Sequence, residues 1–81
     1  MRRLGYELLE SVRSQQMAEK SLAEANLKVL LNNPVGIGEH SDITAEVLCF
    51  VEKIAQADDN IGTVNGIIAN FDTDDLEFIT E

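Results

Sequence analysis

Residues 43–68 read ITAEVLCFVEKIAQADDNIGTVNGII, and their pattern decides the fold. Apolar side chains recur at Ile43, Val47, Phe50, Ile54, Ala57, Ile61, Val64 and Ile68, in alternating steps of four and three. That alternation keeps one narrow helix face turned toward a partner, as in a coiled-coil seam. Leu48 and Val51 widen the stripe. Gly62 and Gly66 weaken the local preference, since a glycine costs about 1 kcal/mol in a helix relative to alanine. The seam runs on through both glycines, so a helix is expected over residues 42–69. The pair has GxxxG spacing outside any apolar span, which implies close approach of a neighbouring helix.

Upstream lies the one clear break. Asn32-Asn33-Pro34-Val35-Gly36-Ile37-Gly38 gathers residues that end helices and admit positive φ. Asn33 precedes the only proline and is biased out of the helical region. A first helix over residues 5–32 and a loop over 33–41 follow. Ser41 is placed to cap the second helix, with Asp42 and Glu46 complementing the positive end of its dipole.

Working back from the loop, Val29, Ala25, Leu22, Ala18, Gln15, Ser11, Leu8 and Leu4 repeat the same alternation. Leu9, Val12 and Met17 stand ready to fill in beside the polar Gln15 and Ser11. Folding at the loop predicts an antiparallel pairing in which Val29 meets Ile43, Ala25 meets Val47, Leu22 meets Phe50, Ala18 meets Ile54 and Leu8 meets Val64. Small residues then oppose large ones. Glu19, Lys20, Glu24 and Lys28 form the charged side, with Glu24 and Lys28 at a favourable i, i+4 spacing. A second stripe of Ala23, Leu27, Leu30 and Leu31 faces elsewhere. The expected fold is therefore an all-α, antiparallel two-helix hairpin, coiled-coil-like, spanning residues 1–71. Leu27, Leu30 and Leu31 are expected to form a homodimer interface that completes a four-helix bundle.

Composition sets the limits on function. An 81-residue chain allows one domain. Fifteen acids against six bases give a net charge of −9, which repels nucleic-acid backbones and suits a basic protein partner. The acidic residues of 72–81 form a tail. Cys49 is the only cysteine, so no internal disulfide is available, and its apolar neighbours suggest a small buried hydrophobe. No stretch reaches the roughly 18 apolar residues of a membrane span, and the expected location is the cytosol.

Three groups of residues invite chemistry and fall short of it. Glu39, His40, Asp42 and Glu46 cluster at the second helix start, but their spacing matches no metal-ligand pattern. Asp72-Thr73-Asp74-Asp75 begins like a calcium loop without its glycine and final glutamate. Gly36-Ile37-Gly38 precedes a helix as phosphate-binding glycines do, yet lacks a preceding strand and the Lys-Ser/Thr pair. His40 and Cys49 make no catalytic arrangement. No cofactor, metal or enzymatic activity is assigned.

The stretch Asn33-Pro34-Val35-Gly36-Ile37-Gly38-Glu39-His40, with Ser41-Asp42-Ile43 after it, resembles a segment of small uncharacterised proteins from large tailed phages, especially those of marine cyanobacteria. The resemblance covers about residues 18–59. Those relatives often carry proline where Ser41 stands here, and the family has no established activity. The resemblance implies a phage-encoded protein acting in the host cytoplasm, or carried in the virion. The expected role is a non-enzymatic interaction or regulatory protein that binds a host or phage protein. The alternative is a minor virion or assembly component. The loop itself reads first as a well-specified turn, with Val35 and Ile37 folded back over the end of the helix pair. Its functional alternative is a partner-binding loop of Val35, Ile37, Glu39 and His40.

Overall fold

A computed structural model describes residues 2–32 and 42–74. Helix α1 runs from Arg3 to Asn32 and helix α2 from Ile43 to Asp74. The two pack side by side as an antiparallel hairpin measuring 55 × 21 × 14 Å. The interhelical residues Val35, Ile37, Glu39 and His40, and the tail beyond Asp74, lie outside the described residues.

Local chemistry explains the described ends. Asp42 caps α2: its Oδ1 accepts from the Ala45 amide at 3.2 Å, and its carbonyl accepts from the Glu46 amide at 3.1 Å; Ser41, the expected cap, lies outside the described residues. An aspartate satisfies an orphan amide and places negative charge at the positive end of the dipole at once. Glu46 adds to this in the first turn. Helix α2 extends five residues past the expected limit, because nothing after Gly66 breaks it. The glycines make no close helix approach: a Cβ at Gly62 or at Gly66 would meet open space. Both are tolerated as exposed helical positions, and the expectation drawn from their spacing is corrected.

The α2 seam lies where the heptad pattern puts it. Ala57 and Val64 are buried, and Val47, Phe50, Ile54, Ile61 and Ile68 are half-buried. Ile43, at the first turn, stays 42% exposed, and Leu48 and Val51 face solvent instead of widening the seam.

Helix α1 presents a different face from the expected one. Ala23 and Leu30 are buried, and Leu9, Arg13, Gln16, Lys20 and Leu27 are half-buried. These residues also step by four and three. The expected seam residues Leu4, Leu8, Leu22 and Val29 are 67%, 59%, 64% and 66% exposed. By the 100° advance per residue, the two stripes lie roughly 140° apart around α1. The register moves as well. Gln16 stands opposite Asn60 and Arg13 opposite Asn65, about one turn further along α2 than the expected pairing. Leu27 and Leu30, expected at an intersubunit interface, are taken up inside the hairpin, while Leu31 is 59% exposed.

Candidate interaction surfaces

The contact between the helices is apolar near the loop end and mixed further out, where Leu9, Ile61, Val64 and Ile68 run beside polar pairs. Toward the loop, Ala23, Leu27 and Leu30 on α1 share the interior with Phe50, Ile54 and Ala57 on α2. Beside them Glu19, Leu22, Ala23, Asn26, Phe50 and Lys53 line an open groove of about 310 Å³. The Lys53 ammonium sits 5.7 Å from the centre of the Phe50 ring, within cation–π range. The groove is open and mostly apolar, with no set of convergent polar groups of the kind that fixes a small ligand.

Away from the loop, polar pairs bridge the helices. Asn60 Nδ2 donates to Gln16 Oε1 at 2.9 Å, and Asn60 Oδ1 accepts from Gln56 Nε2 at 3.0 Å. Arg13 Nη1 donates to Asn65 Oδ1 at 2.6 Å while its Nη2 pairs with Glu10. Lys20 Nζ reaches Asp58 Oδ1 at 2.7 Å. Hydrogen bonds from Arg13, then from Tyr6, hold the Glu10 carboxyl below the usual glutamate value. The Asp58 carboxylate, by hydrogen bond and then by charge, raises the Lys20 ammonium above its usual value. Asn60–Gln16, Arg13–Asn65 and Lys20–Asp58 fix α1 against α2, and the Glu10 and Gln56 contacts brace them from within each helix.

Outside this contact the two helices differ in character. Residues 1–32 carry five bases (Arg2, Arg3, Arg13, Lys20, Lys28) and four acids (Glu7, Glu10, Glu19, Glu24). Residues 33–81 carry eleven acids and one base, Lys53. Among the described residues, 42–74 carry seven acids against one base, so the α2 side of the hairpin is the more acidic. On the outer side of α2, Glu52, Ala55, Gln56 and Asp59 line a shallow open depression, with Asp58 exposed nearby and Leu48 and Val51 exposed toward the loop end. On the outer side of α1 the stripe from Leu4 to Val29 is largely apolar.

Cys49 is exposed on α2, which corrects the expectation of a buried thiol. Among the described residues no group of three or more His, Cys, Asp or Glu could hold a metal, and the candidate ligands Glu39 and His40 lie outside them. No described helix is long and apolar enough to cross a membrane. No protein-family model, curated protein or solved structure matches this chain.

Proposed function

We propose that this chain is a non-enzymatic interaction protein whose acidic α2 side docks on a basic protein surface. The observation that carries this reading is the segregation of charge: eleven of fifteen acids follow residue 32, against a single base. A surface charge that served only solubility would have no need to be one-sided. Exposed Leu48 and Val51, next to Glu52, supply the apolar contact that an acidic patch needs to hold a partner after attracting it. On this reading, which the resemblance of the interhelical segment supports, the protein acts in a phage-infected cell and its partner is a host or phage protein.

The test is an affinity capture from infected lysate at low and high salt, with the triple variant Glu46→Gln, Glu52→Gln, Asp59→Asn beside the unaltered chain. A basic protein retained by the unaltered chain at low salt, and lost on the variant, is the expected result. Retention that ignores both the substitutions and the salt would exclude an acidic docking face. Recovery of the chain in purified particles would favour the role of a minor virion or assembly component instead.

A further inference from the structure

We infer that the outward apolar stripe of α1 is a self-association surface, and that a second copy of this chain covers it in an antiparallel, two-fold arrangement. This inference does not depend on the acidic docking face, which lies on the other helix.

The stripe consists of Leu4, Leu8, Ser11, Gln15, Ala18, Leu22, Ala25 and Val29, with the four-three spacing of a packing seam. All eight are exposed in the single hairpin. The helix's other seam is already occupied by α2, so the hairpin leaves unpartnered a second face of the same periodicity. Solvent does not require such spacing; a helix partner does.

Four features identify the occupant as another copy. The first is sequence symmetry. A two-fold axis passing between Gln15 and Ala18 sets Leu4 against Val29, Leu8 against Ala25, Ser11 against Leu22 and Gln15 against Ala18. Large faces small in all but the outermost pair, Leu4 and Val29, and neither polar residue faces a polar residue. A parallel pair would instead stack Leu22 on Leu22, Ala18 on Ala18 and Gln15 on Gln15. The second is charge. Residues 1–32 have one more base than acid, so two α1 faces meet with little repulsion despite the net charge of −9. The antiparallel arrangement also sends the two acidic C-terminal ends of α2 to opposite ends of the assembly. The third is hydrogen bonding. The Ser11 hydroxyl already donates to the Glu7 carbonyl at 2.9 Å, so it enters an interface with its donor satisfied. The fourth is area. From Leu4 to Val29 the stripe is roughly 38 Å long at 1.5 Å per residue, and covering about a third of the helix surface over that length removes on the order of 1,000 Å² from the two copies together. That reaches the roughly 1,000 Å² that a biological interface should bury.

The geometry also fixes the shape. Because the two stripes of α1 lie on nearly opposite faces, the dimer is a row, α2–α1–α1–α2, with both acidic α2 sides outermost. A closed four-helix bundle would need the two contact faces nearer a right angle.

Sedimentation and cross-linking test this directly. The unaltered chain should sediment at micromolar concentration with twice the 8.9 kDa chain mass. Leu22→Glu should weaken association by at least ~100-fold, because the two-fold axis buries the unpaired charge twice. Leu48→Glu on the outer side of α2 should leave it unchanged. In a Cys49→Ser background, Ala18→Cys should cross-link to its own copy beside the axis. Leu4→Cys should not link to itself, but should link to Val29→Cys when the two proteins are mixed. These cross-links do not depend on how well Leu22→Glu folds. A monomer mass for the unaltered chain, dissociation by Leu48→Glu, or a Leu4-to-Leu4 link would each overturn the inference.

Discussion

The two stripes of α1 have the same spacing and opposite surroundings. The outward one, Leu4 to Val29, is the more apolar of the two, with Ser11 and Gln15 its only polar members. The inward one carries Arg13, Gln16 and Lys20 at its middle positions, and it is the one α2 covers. Apolar content alone would have chosen the other face. The choice is explained by α2, which carries Asp58, Asn60 and Asn65 beside its seam. Each meets a complementary group on the inward stripe: Lys20, Gln16 and Arg13. Turning α1 to bury its outward stripe would break all three pairs. A narrow helical contact is therefore selected here by polar matching as well as by burial, with the apolar loop-end half supplying the adhesion.

The largest expected effect distinguishes the two orientations of α1 through neighbouring residues of identical chemistry. Leu30 is 4% exposed and Leu31 is 59% exposed. Leu30→Ala should lower stability by about 2–4 kcal/mol, through lost burial and the space left behind. Leu31→Ala should change it by no more than ~0.5 kcal/mol. Urea melts of both variants at matched concentration make the comparison. Equal and small losses would mean that α1 is turned to its other stripe.

This orientation marks the limit of what the sequence makes legible. The all-α hairpin and the α2 seam from Val47 to Ile68 follow from one unbroken periodicity. The α1 face does not, because two stripes with the same spacing compete and a count of apolar positions favours the exposed one. The signal that resolves it was present as three polar residues on each helix, each set spanning seven positions, Arg13 to Lys20 and Asp58 to Asn65. Reading it requires the register, and the register follows only when those pairs are sought. The α2 cap shows the same difficulty on a smaller scale. Ser41 and Asp42 are both good capping residues, and which one caps depends on where the chain enters the helix. The charge asymmetry was countable from the beginning, but it becomes a surface only when the hairpin sets α1 and α2 side by side.

A smaller effect tests the polar matching itself. Asn60→Ala removes the partner of Gln16 and of Gln56, and should cost about 0.5–1.5 kcal/mol. Replacing both Gln16 and Asn60 by Leu should be nearly neutral, because the half-buried pair leaves together and the exposed Gln56 amide turns to water. If polar pairs select the face, however, that double variant should gain alternative packings. Broader amide signals in an NMR spectrum, at unchanged helix content by circular dichroism, would report it. A sharp single set of signals would mean that burial alone fixes α1, and the comparison of stripes would lose its explanation.

The smallest expected effect is a pH dependence, and its sign follows from Glu10. Hydrogen bonds from Arg13 and Tyr6 lower its pKa in the folded chain below the ordinary 4.5. In the unfolded chain the group takes up its proton first as the solution is acidified. Between the two pKa values the unfolded state binds more protons, so stability rises with pH across that window. The contribution is fully present above the ordinary value and disappears as the pH falls through the lowered one. Lys20 works in the opposite direction and at the other end of the scale. Its pKa is raised above 10.5 by Asp58, so its contribution persists below the ordinary value and is lost only in strong alkali. Glu10→Gln should therefore flatten part of the acid limb of a melting-temperature profile and leave the alkaline limb alone, while Lys20→Met should do the reverse. Both effects should shrink in salt, because these side chains are a third or more exposed on at least one partner. Since Arg13 also holds Asn65 across the helix pair, Glu10→Gln tests the inward stripe from its edge. An acid limb unchanged by the substitution would show that the Glu10–Arg13 pair adds nothing to the grip between the helices, and that Arg13 reaches Asn65 unaided.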